Sequence, residues 1–429
     1  MRRLRPCLAG ALTLIGTACC SMIVLLVASA AEADEPAFGG RRGIGGIKTF
    51  AFPLSLDDKM GTFNGNPYRP GWSEEMLSGR LLELRQAGFD FIRLNIDPGP
   101  LLAADPTGLD RLISEIDFAL TSTLAAGLKV VLDIHPSDGH PAWGAEKITS
   151  GTSQPVFQRY LGIVRRAARL VDGFDPRLAA LELFNEPPSP CQWPGNLSWP
   201  EQLKILHREA RRLAPRHTLI VAGACYAKID GLLLLDGASF DANTMFTVHY
   251  YEPHIFTHQG YWASSDKYLQ YIAPLPYPAL PGMGTATLAR VKSALSRATD
   301  LTAGERSLEW SKARRKLEDY FAEPSGIQAV EARFAEINAW ASRHGVAPAR
   351  IVVGEFGVMK DIYDKTGARP ADRMAWLADV RATAEKFGFA WSAWALTNTM
   401  GIVTRDLDGP LDPDVLSALG LVTPKPSPR

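Results

Sequence analysis

The chain has 429 residues, with 46 basic side chains balanced by 46 acidic ones and 46% of its residues hydrophobic. This is the make-up of an ordinary globular protein. It exceeds a typical domain of roughly 100–200 residues but suits one large α/β unit. No segment is basic for long, which argues against nucleic acid and other polyanions as partners.

Residues 1–36 stand apart. MRRLRP is a basic start, CLAGALTLIGTACCSMIVLLVASA is an apolar run, and Ala28-Ser29-Ala30 and Ala31-Glu32-Ala33 are small-residue cleavage sites. This pattern is that of a secretory signal and implies an exported, periplasmic or extracellular protein. The run is longer than usual, so an uncleaved anchor is the alternative, and only then would the protein touch a membrane. No Leu stands three residues before Cys19 or Cys20, against lipid attachment. Three of the five cysteines lie in this leader, leaving Cys191 and Cys225. In an exported protein two cysteines suggest one disulfide, and two separate buried thiols are the alternative. Nothing has zinc-site spacing.

From residue 48 a rhythm begins. KTFAFPLSL (48–56) reads as a first strand. GFDFIRLNID (88–97) is short, apolar and β-branched, and reads as the second. Residues 108–127 carry Leu109, Leu112, Ile113, Ile116, Leu120 and Leu124 at helical spacing. GLKVVLDIHP (127–136) is a third strand, 156–171 an amphipathic helix, LAALELFNEP (178–187) a fourth strand and 201–214 a helix. HTLIVAGACY (217–226) and MFTVHYYEP (245–253) are the fifth and sixth strands. A helix over 330–345, a strand over 350–358, a helix over 373–388 and a strand over 389–396 complete the series. Near-continuous apolar strands linked by helices indicate a parallel sheet buried on both faces. Eight βα units predict a closed (β/α)8 TIM barrel in one catalytic domain over 37–422. Residues 253–325 interrupt the rhythm and read as an insertion after strand six, walling the cleft. Residues 423–429 read as a disordered tail. No G-x-G-x-x-G follows a strand, so a dinucleotide site is not expected.

Polar residues gather where these strands stop: Arg93, Asp133 and His135, Asn185 and Glu186, His249 and Tyr251, Glu355, and Trp391 with Trp394. One charged strand end is ordinarily a solvated edge or a structural ion pair. Two glutamates, two histidines, an amide, a tyrosine and an arginine at the same barrel mouth are hard to explain that way, because that mouth is where such folds do chemistry. Carboxyl groups facing each other from strands four and seven suit glycoside hydrolysis. One protonates the leaving oxygen, and the other attacks the anomeric carbon or activates water. Pro187 is expected to hold Glu186 in extended geometry. Trp143, Trp193 and Trp262 lie in loops and are candidate sugar-stacking platforms. His140, His254 and His258 lack metal-site spacing, and no metal or cofactor is expected.

FIRLNID, LDIHP, LFNEP, VHYYEP, VGEFG and WSAWAL together resemble, in order and spacing, glycoside hydrolase family 5, the cellulase A family, over about 40–420. The resemblance implies a retaining enzyme with Glu186 as acid/base and Glu355 as nucleophile. It further implies that Arg93, His135, Asn185, His249, Tyr251 and Trp394 bind substrate, and that the peptide after Trp394 is often cis. The expected substrate is a β-linked polysaccharide or oligosaccharide, foremost β-1,4-glucan cut by an endo-acting cellulase, with β-1,3-glucan or β-mannan as alternatives. A catalytically silent carbohydrate-binding barrel would lack one glutamate, and both are present. A monomer is expected. The exits of strands four and five adjoin in such a barrel, so Cys191 and Cys225 are expected to pair.

N-terminal sequencing of the exported protein should give a start just after Ala30 or Ala33; a start at Met1 would mean that the apolar segment stays as an anchor.

Overall fold

The computed structural model describes residues 35–51, 56–57, 62–63, 68, 79–136, 142–188, 199–362, 365–404 and 409–424. The leader, Cys191, Trp193, His140 and the last five residues lie outside these. No helix among the described residues is long and apolar enough to cross a membrane.

Eight parallel strands close into a barrel: β1 (Arg42–Ile44), β2 (Phe91–Ile96), β3 (Lys129–Ile134), β4 (Ala179–Glu182), β5 (Thr218–Ala222), β6 (Thr244–His249), β7 (Ile351–Glu355) and β8 (Ala390–Ala393). Each strand pairs with its neighbours in sequence, and β1 pairs with both β2 and β8. Helices cover the outside: α1 (Leu81–Ala87), α2 (Pro106–Ala125), α3 (Pro155–Asp172), α4 (Trp199–Leu213), α5 (Gly284–Ser296), α6 (Ala303–Ala322), α7 (Ile327–Arg343) and α8 (Pro370–Lys386). Several start as their sequences dictate. Pro106, Pro155 and Pro370 occupy first-turn positions, and Asp105 caps α2 by accepting from the Gly108 amide.

The first strand lies six residues earlier than KTFAFPLSL. Lys48–Ala51 forms a short helix, and the barrel strand is Arg42–Ile44, inside the glycine-rich stretch. Packing explains why so unpromising a sequence is a strand. A Cβ on Gly43 would sit 2.2 Å from the Phe91 ring, so the space a side chain would use is already filled. Gly46, just past the strand, has φ +69 and lets the chain pass within contact of Ala395.

Alternating residues of the strands point inward. Phe38, Phe91, Val131, Ala180, Ile220, Met245, Val352 and Ala390 form an apolar floor inside the barrel, with the Phe38 and Phe91 rings edge to face. Two residues further along β2, β3, β4, β6 and β8 the filling turns polar: Arg93, Asp133, Glu182, Thr247 and Ser392, all buried. The candidate catalytic residues stand on this polar layer.

The segment 253–325 contains short helices His254–Thr257 and Leu269–Ile272, then α5 and α6 packed on each other. Thr302 and Glu305 close a capping box at the start of α6. The segment meets the mouth at its first turn. The Thr257 hydroxyl donates to the Tyr251 carbonyl, and the Met359 amide donates to the Thr257 carbonyl.

Replacing Gly43 with Ala should overpack the barrel against Phe91 and cost about 1–3 kcal/mol, seen as a lower urea midpoint; an unchanged midpoint would show that the ring moves aside freely.

Candidate active site

Arg93 is the hub. Its guanidinium is 2% exposed and spends all three nitrogens on acceptors. Nε and Nη2 donate to the two Glu182 oxygens at 2.7 and 2.8 Å. Nη1 donates to Glu355 Oε1 at 2.6 Å. Nη2 also donates to Asn185 Oδ1 at 2.8 Å and lies 3.1 Å from Asp133 Oδ2. Such charge-assisted, forked contacts fix both position and orientation. The second Glu355 oxygen accepts from the Tyr251 hydroxyl at 2.9 Å. A register shift between Val248 and His249 sets His249 opposite Glu355 in the β6–β7 ladder.

Glu186 faces this pair from the loop after β4. His249 Nδ1 is 2.7 Å from Glu186 Oε1 and 3.6 Å from Glu355 Oε2. One side-chain atom each from Glu186, His249 and Glu355 lies within 4.8 Å of the others. That spacing would also suit a metal ion. However, Arg93 and Tyr251 already occupy both Glu355 oxygens, and His249 Nδ1 is bonded to Glu186.

Burial sets the proton positions. It pushes the Glu186 pKa up, while the positive charges of His135, Arg93 and Lys228 offset part of the rise. The Glu186 side chain is still 31% exposed, so it opens into the cleft. Burial pulls His249 down to about 4, so its ring is neutral near pH 7. Burial and the Glu355 and Glu186 carboxyls push Tyr251 up, which keeps its hydroxyl a donor. For Asp133 the burial penalty is outweighed by Arg93 and His135, and its pKa falls. His135 shows the reverse balance: Asp133, 2.8 Å from its Nδ1, raises it against desolvation.

The backbone of Glu186 differs from expectation. Pro187 was expected to keep Glu186 extended, yet its φ is +43, in the left-handed region. A non-glycine residue there costs of order 1 kcal/mol or more and persists only when its surroundings impose it. Here the Asn185 amide donates to Ile134 O, and the Pro187 carbonyl accepts from the Tyr226 amide. The turn they enforce swings the carboxyl over the barrel. Proline disfavours the right-handed helical region for the preceding residue, and the left-handed well is the other way to make a tight turn.

Arg93, His135, Asn185, Glu186, His249, Tyr251, Glu355 and Trp394 thus meet at one mouth. The His135 ring stacks parallel to Trp394, with centroids 5.6 Å apart, and Asn185 Nδ2 lies 3.3 Å from His135 Nε2. The Trp394–Ala395 peptide is cis. The loop tryptophans divide. Trp143 is 7% exposed and packs against Gly99, so it presents no open face to a sugar. Trp262 is 38% exposed and ends an aromatic run from Tyr251 through His258 and Tyr261. His254 and His258 stack ring on ring rather than converging as ligands. Cys225 is disulfide-bonded, while Cys191 lies outside the described residues. Two buried residues escaped the reading of strand ends: Asn95, which donates to Asp133, and Glu182, under Arg93. A lone carboxylate inside the apolar run LAALELF was the signal that could have found Glu182.

The family model of Cellulase (glycosyl hydrolase family 5) matches residues 57–400. The chain belongs to this family. Cellodextrinase A of Ruminococcus flavefaciens is 27% identical over 173 residues, 40% of this chain and 50% of that protein. Endoglucanase 3 of Fibrobacter succinogenes is 21% identical over 333 residues, 75% of this chain and 46% of that protein. The chain therefore spans about half the length of these curated relatives. Among solved structures, the cellulose synthase subunit Z of Clostridioides difficile superposes with a TM-score of 0.61 at 22% identity, covering 89% of this chain and 99% of that one. It shares the fold.

Replacing Arg93 with Met would leave Glu182, Asp133 and Glu355 buried without their cation. It should cost about 3–5 kcal/mol, read as a fall in the urea midpoint; a stable Arg93→Met protein would show that the carboxyls find other partners.

Proposed function

We propose that this family 5 protein is an exported glycosidase that cleaves β-linked glucan with retention of configuration. The observation that carries the reading is the approach of Glu186 and Glu355. One carboxylate oxygen of each lies within 4.8 Å of the other's, a close approach that favours the setting of retaining enzymes, roughly 5–5.5 Å between carboxyls, over the roughly 6.5–9.5 Å that leaves room for an attacking water.

Each side chain then has a task. Glu355, held by Arg93 and Tyr251, attacks the anomeric carbon and forms the glycosyl–enzyme bond. Glu186 gives its proton to the departing glycosidic oxygen as that bond breaks. It then takes a proton from the water that releases the sugar. Its raised pKa suits the acid role near neutrality. Neutral His249 holds the Glu186 carboxyl through Nδ1. Asn185, tied to Arg93, offers its amide NH to the sugar 2-hydroxyl, a contact that strengthens in the transition state. Trp394, backed by His135, offers a flat face to a pyranose ring. β-1,4-Glucan is the first substrate to try, because the sequence relatives are named for cellodextrin and glucan cleavage.

A reducing-sugar screen over cellulose derivatives, mixed-linkage glucan, laminarin, mannan and xyloglucan should give its highest rate on β-1,4-glucan. Highest activity on mannan or laminarin would move the specificity within the family, and none on any of these would sink the reading. Glu355→Ala should lose at least 10³-fold in kcat and regain turnover with azide, giving a product of inverted configuration. Glu186→Ala should keep activity only on aryl glycosides with good leaving groups; full activity on unactivated glucan would remove it as the acid. The kcat/KM profile should fall on the alkaline side as Glu186 loses its proton, at a pH above that of an ordinary glutamate.

A further inference from the structure

We infer that Glu182 is a positioning residue for the catalytic pair, acting through Arg93. It fixes the guanidinium fork and with it the direction of the Arg93–Glu355 bond. This inference rests on the functional reading above.

Geometry carries it. Arg93 reaches Glu355 and Asn185 through Nη1 and Nη2, on one edge of its plane. Glu182 takes Nε and Nη2 together, one on each carboxyl oxygen. A planar guanidinium held at two nitrogens cannot rotate about its chain, so the direction of the bond from Nη1 to Glu355 follows from Glu182. Glu182 touches no cleft surface itself: it is 1% exposed, below the catalytic residues. Its action on substrate is therefore indirect.

Two variants and one structure test this. Glu182→Ala should lower kcat on an aryl β-cellobioside at least tenfold with KM little changed, although that leaving group needs no proton, and Glu182→Gln, which keeps one acceptor, should recover part of the loss. A crystal structure of Glu182→Ala should show the Arg93 guanidinium turned away from Glu355. A merely structural role would lower the urea midpoint and leave the kcat of the folded protein in place. A wild-type kcat in Glu182→Ala, or an Arg93 still bonded to Glu355 in its structure, would overturn the positioning role. If the wild type cleaved neither glucan nor the aryl glycoside, the functional reading would fail, and that structure would still decide whether Glu182 aims Arg93.

Discussion

One guanidinium holds this site together. Arg93 sits inside the barrel with Glu182, Asp133 and Glu355 around it, and Asn185 also hangs from it. A buried charge is tolerated only when it is paired and hydrogen-bonded. Here the pairing gives four side chains from three strands and one loop a common reference point. Glu355 and Asn185 are aimed because Arg93 is aimed. The closed barrel makes this possible by bringing residues 89 and 262 positions away in sequence onto one side chain.

Much of this was legible from the chain alone, for a physical reason. Seven of the strands are apolar on both faces, and their polar ends break that pattern abruptly, so FIRLNID, LDIHP, LFNEP and VGEFG announce both the strand and its exit. β1 was not legible. Its job is to fit around Phe91 and Trp394, which calls for glycine, and glycine carries no strand signal. Glu182 was overlooked because the strand was read on to Asn185 and Glu186, whereas β4 ends at Glu182 itself. The backbone of Glu186 was misjudged because a rule for the residue before proline describes local preference. The turn is imposed by partners distant in sequence, Ile134 and Tyr226.

The loops follow a different logic from the strands. Cys225, Tyr226 and Ala227 all have positive φ, with Cys225 in a disulfide. Their amides and carbonyls reach both neighbours: Tyr226 donates to Pro187 O, and Ala227 O accepts from the His249 amide. This one strained turn braces the Glu186 loop on one side and His249 on the other. The insertion after β6 contributes His258, which lies edge-on to Tyr251 and begins the aromatic run to Trp262. Near it, a cavity of about 370 Å³ is lined by Lys228, His254, Lys316 and Asp319 among others. Lys228 also acts on Glu186 through space, so this part of the surface adjoins Glu186. Sequence patterns cannot show such arrangements, since each depends on contacts between separate loops.

The apolar floor beneath the polar layer has a further effect. Phe38, Phe91, Val131, Ala180, Ile220, Met245, Val352 and Ala390 plug the barrel from below, so the buried cluster exchanges protons with solvent only through its mouth. The polar layer is therefore the bottom of the cleft: whatever enters the mouth stops there, and the buried carboxylates draw their balancing charge from Arg93 beside them rather than from the far end of the barrel.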